Sequence, residues 1–139
     1  MERGKMGGER KRILYVDDEE ALVFLVPLTM APLGYEVSPF GSARQALDEF
    51  RRRPDDFDAV ITDLSMTEMS GFDLARQVHA LRPGLPLVIT SGYVRAGERD
   101  EALAAGACEL VLKPDTVEEL GRALDEAIRS SIHPPKPPK

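Results

Sequence analysis

The chain has 139 residues, of which 42% are hydrophobic and 30% are charged, a composition typical of one globular domain. Its 24 acidic and 18 basic side chains give a formal net charge of −6, which argues against direct binding of nucleic acid through counterion release. One cysteine excludes an internal disulfide, and no apolar run approaches the roughly 20 residues that span a bilayer, so a membrane partner is not expected. These features predict a cytoplasmic protein.

The two ends of the chain differ in composition from its middle. Residues 1–11 mix glycine with charges of both signs, and residues 132–139 are rich in proline. We expect the first segment to be a flexible arm and the second an extended tail, because neither offers a pattern of apolar side chains to a core. The folded domain is therefore predicted to span residues 12–131.

Short apolar segments alternate with segments of helical periodicity through the middle of the chain. The strands predicted from the apolar segments are residues 13–16, 35–37, 59–61, 85–90 and 108–112. The helices predicted between and after them are residues 19–33 and 98–105, together with helices that follow Ser42, Ser70 and Thr116. Strands joined by helical crossovers favour an α/β fold, with a doubly wound, five-stranded parallel sheet and five helices. Cys108 opens the last strand and is expected to be a core thiol.

Polar residues stand directly after the apolar part of four predicted strands. They are Asp17 and Asp18, Asp63, Ser91, and Lys113. Parallel strands of a doubly wound sheet present their carboxyl ends at one edge, which is where such sheets bind ligands. These side chains are therefore predicted to lie close together.

Three converging carboxylates favour a bound cation. Two such charges about 4 Å apart repel each other by about 4 kcal/mol at an effective dielectric constant of about 20. Oxygen ligands with no nearby histidine or cysteine suit Mg²⁺ or Mn²⁺. The backbone carbonyl of Ser65, two residues after Asp63, is a candidate for a further ligand. We therefore expect Asp17, Asp18, Asp63 and Ser65 to hold the metal.

The remaining polar residues suit the transfer of a phosphoryl group. Lys113 supplies a positive charge and Ser91 a hydroxyl, which together can position and neutralise phosphoryl oxygens. Asp63 is the candidate nucleophile, because a carboxylate can accept phosphate as an acyl phosphate and needs no general base to do so.

Five short segments resemble one known family. They are residues 13–20 (ILYVDDEE), 60–66 (VITDLSM), 70–71 (SG), 90–92 (TSG) and 112–114 (LKP). In this order and spacing they are similar to the receiver domain of bacterial two-component response regulators, over about residues 12–130. The resemblance implies a (βα)5 fold of the flavodoxin or CheY type. It also implies a partner, either a sensor histidine kinase or a histidine phosphotransfer protein.

The resemblance assigns a role to each residue that matches the family motifs. Asp17 and Asp18 match the acidic pair that holds Mg²⁺, and Asp63 matches the acceptor of the phosphoryl group from phosphohistidine. Lys113 matches the lysine of the site, and Ser91 the switch hydroxyl, with Thr90 as a rival. Such a domain catalyses its own phosphorylation and dephosphorylation and is not a turnover enzyme.

Two positions depart from the family pattern. Thr67 stands where proline is usual, so the loop after Asp63 is expected to be less rigid. Leu110 stands where an aromatic switch residue is common, three positions before Lys113, which argues against a coupled movement of an aromatic ring.

Other functions fit the sequence less well. The principal alternative is the receiver segment of a hybrid histidine kinase. A remote alternative is a phosphatase of the haloacid dehalogenase type, but in such enzymes the nucleophile precedes the acidic pair along the chain, the reverse of the order here. A flavodoxin-like electron carrier would need a phosphate-binding loop where this chain has Asp17–Glu20. No basic helix-turn-helix follows Ser131, so direct contact with nucleic acid is not expected, and we expect a monomer or weak homodimer.

Overall fold

A computed structural model describes residues 10–132 of the chain. Residues 1–9 of the expected arm and residues 133–139 of the expected tail lie outside this part. The elements in chain order are β1 (Lys11–Val16), α1 (Glu20–Met30), β2 (Tyr35–Phe40), α2 (Ala43–Arg52), β3 (Ala59–Asp63), α3 (Gly71–Leu81), β4 (Leu87–Ser91), α4 (Glu98–Ala104), β5 (Glu109–Leu112) and α5 (Val117–Ile132). Among the described residues, none of the helices combines the length and apolar character needed to cross a membrane.

The five strands form one parallel sheet in the order β2-β1-β3-β4-β5. The chain runs from β1 outward to β2 and then returns to the other side of β1 with β3, so the order reverses between β1 and β3. The residues that follow these two strands therefore meet at the reversal, the usual ligand position in such sheets. The predicted five-stranded α/β fold is confirmed.

Each face of the sheet is covered by helices, as the nearly continuous apolar strands require. Side chains alternate along β1, so Ile13 and Tyr15 pack towards α1 and α5, whereas Leu14 and Val16 pack towards α2, α3 and α4. All four are fully buried, and burial of a large apolar side chain stabilises the fold by about 1.5–3 kcal/mol.

Helix starts agree better with the sequence than helix ends do. Ser42 accepts a hydrogen bond from the backbone N–H of Gln45, and Thr116 one from Glu119, both at 3.1 Å, as the capping boxes predict. Helix α1 was expected to reach residue 33, but its last residues tighten into the 3₁₀ turn Ala31–Leu33, which ends at Gly34 with φ of 100°.

Cys108 is not in the core. It is exposed and lies one residue before β5, which is an edge strand of the sheet. Its Sγ is 3.1 Å from the carbonyl oxygen of Leu87. The expectation of a core thiol was therefore wrong, because an apolar run cannot show from sequence alone which of its ends the neighbouring elements leave uncovered.

Candidate functional site

Three carboxylates converge where β1 and β3 end. Asp17, Asp18 and Asp63, here called the acidic cluster, each offer one oxygen, and these oxygens lie within 4.8 Å of one another. Asp17 is fully buried, Asp63 is 6% exposed, and Asp18 is exposed to solvent. Three oxygen donors at this spacing, one of them open to water, fit a hard divalent cation such as Mg²⁺.

Lys113 links two members of the acidic cluster. Its Nζ lies 2.8 Å from Oδ2 of Asp17 and 3.2 Å from Oδ1 of Asp63. The backbone N–H of Lys113 donates to the carbonyl of Ser91 at 2.8 Å, so the pairing of β5 with β4 continues one residue past the strand. That bond brings the lysine side chain to the same edge of the sheet as the carboxylates.

Asp17 is held by three hydrogen-bond donors. Lys113 and the Tyr15 hydroxyl both donate to Oδ2, the latter at 3.0 Å, and the backbone N–H of Glu19 donates to Oδ1 at 2.9 Å. A buried charge is tolerated only when it is paired and hydrogen-bonded. Glu19 adds a fourth carboxylate nearby, 3.8 Å from the Lys113 ammonium.

The pKa values of the site show how these charges compete. Burial and the charge of Asp17 raise the pKa of Asp63 to about 6, although the Lys113 ammonium opposes this shift. Burial lowers the pKa of Lys113, but the hydrogen bond and charge of Asp17, together with Asp63, outweigh it and leave that pKa raised. Lys113 is therefore an ammonium at neutral pH, and a second positive charge beside Asp63 favours its ionised form.

The raised pKa of Asp63 predicts a pH dependence of stability in cation-free protein. The folded state holds the Asp63 proton up to about pH 6, whereas an unfolded chain releases it near 3.8, so this contribution to the free energy of unfolding falls as the pH rises from 4 to 6. Two pKa units correspond to about 3 kcal/mol. Asparagine mimics the protonated acid at every pH. The free energy of unfolding of Asp63→Asn is therefore expected to rise relative to that of the wild type between pH 4 and pH 7, by up to about 3 kcal/mol. Urea denaturation in EDTA measures this, and a difference independent of pH would contradict it.

The loop between β3 and α3 is anchored at both ends. Leu64 donates to the Thr90 carbonyl and Gly71 donates to the Leu64 carbonyl, each at 2.8 Å. A Cβ on Gly71 would lie 2.4 Å from the Asp63 carbonyl oxygen, so only glycine allows α3 to begin this close to the acidic cluster. Ser65, expected to supply a carbonyl ligand, is exposed in this loop and lines an open cleft of about 530 Å³ with Asp18.

A contact with α2 also holds the loop. The Glu68 carboxylate accepts from the Ser42 hydroxyl at 2.8 Å and from the backbone N–H of Arg44 at 3.1 Å. These two donors lower the pKa of Glu68, and a carboxylate at a helix N-terminus is favourable. The Glu68 contact therefore ties the loop to α2, although Thr67 is exposed and lacks the rigidity of proline.

Ser91 and Thr90 point to different faces of the sheet. Side chains alternate along β4, so Ser91 lies on the same face of the sheet as Ile89. Thr90 lies on the opposite face with Val88, beside its register partner Asp63. Ser91 Oγ donates to the carbonyl of Tyr93 at 2.6 Å. Thr90 is fully buried, and its Oγ1 finds no hydrogen-bond partner within residues 10–132. Leu110 is buried on the same face as Ser91.

The strand pattern of the sequence predicts that Asp17, Asp18, Asp63 and Lys113 lie together, as they do. It does not predict the contacts of Tyr15, Glu19 and Glu68. Tyr15 belongs to an apolar run, and that pattern predicts only a strand; its position two residues before Asp17, and therefore on the same face, is the signal that could have found it. Glu68 gave no such signal, since its contact depends on how two loops meet in the fold.

Comparison with known proteins agrees with this geometry. The family model described as the response regulator receiver domain matches residues 13–125. The chain belongs to this family. The receiver domain is 34% identical over 116 residues to the transcriptional regulatory protein ZraR of Escherichia coli O157:H7, covering 84% of this chain but 26% of ZraR. The chain thus spans about a quarter of the length of that curated relative.

Solved structures resemble the receiver domain over nearly its whole length. A CheY-like receiver domain protein from Methanospirillum hungatei JF-1 matches with a TM-score of 0.76 and 27% identity, covering 89% of this chain and 98% of that one. The response regulator TrrA from Thermotoga maritima, solved in complex with Mg²⁺-BeF, matches with a TM-score of 0.71 and 26% identity, covering 84% and 98%.

Proposed function

We propose that Asp63 accepts a phosphoryl group in a reaction that requires Mg²⁺, and that the chain thereby acts as a switch in two-component signalling. The observation that carries this proposal is the arrangement of the acidic cluster around one ammonium, Lys113. Asp17, Asp18 and Asp63, with the Ser65 carbonyl, would hold the cation, for which Mn²⁺ is a chemical substitute. The Mg²⁺-BeF complex of TrrA supports the choice of Mg²⁺.

The chemistry follows from charge. A carboxylate oxygen of Asp63 attacks phosphorus, the new O–P bond replaces the P–N bond of a phosphohistidine donor, and the leaving imidazole keeps the bonding electron pair and takes up a proton. The cation, when bound, neutralises the phosphoryl oxygens. Lys113 moves its ammonium from the Asp63 carboxylate to a phosphoryl oxygen, which offsets the negative charge that arrives.

Release of the phosphoryl group needs water as the only further reactant. Hydrolysis of the acyl phosphate breaks the O–P bond and restores the Asp63 carboxylate, so the phosphoryl group is held on the protein itself between transfer and release. We therefore regard the receiver domain, over residues 12–131, as a phosphoacceptor rather than an enzyme, and as a cytoplasmic protein that is a monomer or weak homodimer.

The donor is a sensor histidine kinase or a histidine phosphotransfer protein. Phe24 and Leu28, which are 68% and 60% exposed, lie one turn apart on α1, directly after the acidic pair. Exposed apolar side chains on the helix that follows the acidic pair support docking of a protein donor there. The receiver segment of a hybrid histidine kinase, in which such a domain forms one part of a longer chain, is the second candidate. Direct contact with nucleic acid is not part of this proposal.

Intact-mass spectrometry after incubation with acetyl phosphate tests the proposed function. The wild-type protein is expected to gain the mass of one phosphoryl group in Mg²⁺ and none in EDTA. Equal labelling with and without the cation would overturn the proposal.

Ser91 is proposed as the switch hydroxyl because it is the last residue of β4, at the edge of the sheet that carries the acidic cluster, and because its bond to the Tyr93 carbonyl can be exchanged for one to a phosphoryl oxygen. Ser91→Ala is expected to abolish the change in hydrogen exchange of residues 91–98 that follows phosphorylation, whereas Ser91→Thr retains it. The matched control is Thr90→Val, which removes a hydroxyl at constant volume and should leave the change intact. The reverse pattern would assign the role to Thr90.

A further inference from the structure

Tyr15 places a hydroxyl directly beneath the acidic cluster. The residue is fully buried in β1, and its hydroxyl donates to Asp17 Oδ2 at 3.0 Å. Burial, first, and then the charge and hydrogen bond of Asp17 raise the pKa of Tyr15 far above its usual value, so the phenol is neutral and acts as a donor.

The same carboxylate oxygen also receives the Lys113 ammonium, at 2.8 Å. The Lys113 ammonium and the Tyr15 hydroxyl differ in whether they can move during the reaction. The proposed function requires the Lys113 ammonium to follow the incoming phosphoryl group, and its long side chain allows this. The Tyr15 ring is packed against α1 and α5 and stays where it is. Once the ammonium moves, the phenol and the Glu19 backbone N–H are the donors that keep Asp17 oriented.

We infer that Tyr15 is a positioning residue, which fixes the Asp17 carboxylate so that it supports the divalent cation throughout phosphoryl transfer. This inference rests on the proposed function and assigns a role to a residue in the core. Hydrogen-bond partners of metal-binding groups commonly change metal affinity by 10- to 100-fold when they are removed.

Tyr15→Phe removes the hydroxyl and keeps the ring. Isothermal titration calorimetry with Mg²⁺ is expected to show binding weakened by roughly tenfold. The Mg²⁺ concentration for half-maximal labelling by acetyl phosphate should rise by a similar factor, while the labelling rate at saturating Mg²⁺ stays within about twofold. Tyr35→Phe is the matched control, because Tyr35 is also buried and donates to a carboxylate, that of Asp125 on α5, which is not in the acidic cluster. Its affinity for Mg²⁺ should equal that of the wild type.

A second measurement uses the wild-type protein and does not depend on how the variant folds. The chain has three tyrosines, so ¹³Cζ labelling gives three resonances that the variants assign. Addition of Mg²⁺ should shift the Tyr15 resonance with the midpoint seen by calorimetry and leave that of Tyr35 in place. Suppose that the wild type binds Mg²⁺ and is labelled by acetyl phosphate. This inference alone then fails if Tyr15→Phe binds Mg²⁺ as tightly as the wild type does, or if Tyr15→Phe and Tyr35→Phe lose affinity to the same extent. If wild type neither binds Mg²⁺ nor is labelled, the proposed function fails with it.

Discussion

Asp63→Asn is expected to abolish phosphoryl incorporation completely. The amide is nearly identical in shape to the carboxylate but carries no charge, so it has no anionic oxygen to attack phosphorus and cannot form an acyl phosphate. It also removes one of the carboxylates that contact Lys113, while the bond from Lys113 to Asp17 stays in place. The variant should therefore fold and simply fail to react. Intact-mass spectrometry with acetyl phosphate and Mg²⁺ measures the loss.

The control for this variant is Asp48→Asn. Asp48 is an exposed aspartate on α2, and its substitution makes the same change of charge outside the acidic cluster. Asp48→Asn should label to the same extent as the wild type. A mass gain in Asp63→Asn equal to that of the wild type would show that another residue accepts the phosphoryl group.

Asp18→Ala is expected to weaken Mg²⁺ binding by at least about tenfold while leaving the fold unchanged. Asp18 is the exposed member of the acidic cluster, so its carboxylate can meet a hydrated cation at little desolvation cost. Its removal takes away an oxygen ligand and one of the charges that attract the cation. An exposed side chain of this kind contributes little to the free energy of unfolding, about 0.5 kcal/mol or less. Calorimetric titration with Mg²⁺, alongside urea denaturation in EDTA, measures both quantities.

Glu20→Ala provides the matched control for Asp18→Ala. Glu20 is an exposed acid two residues further along the chain, in the first turn of α1 and outside the acidic cluster. Its loss changes the net charge equally. Mg²⁺ affinity that falls to the same extent in both variants would mean that the general field of the protein attracts the cation, and that Asp18 is not a ligand.

The fold could be predicted because its strands are buried on both faces. Each apolar run of β1, β3 and β4 contributes to two cores at once, which leaves little ambiguity about its structure. The ends of elements were harder to predict. The end of α1 depends on a 3₁₀ turn that closes at Gly34, and the exposure of Cys108 depends on what the edge of the sheet leaves uncovered.

The acidic cluster could be predicted for a different reason. Asp17, Asp18, Asp63 and Lys113 follow directly after parallel strands, so topology alone brings them to one edge. The Tyr15 bond and the Glu68 contact depend instead on side-chain directions and on the meeting of two loops, which apolar periodicity does not encode. The orientation of the Ser65 carbonyl depends on the path of a loop and stays a prediction.

The Lys113 ammonium, shared between Asp17 and Asp63, has a consequence for ion exchange. It serves as an internal counterion, so the carboxylates are already partly neutralised before any ion from solution reaches them. Each arriving ion must compete with a tethered charge that is always present at high local concentration. Such a competitor reduces the net free energy gained when the metal binds, so the protein holds its metal less tightly than the same carboxylates would without Lys113.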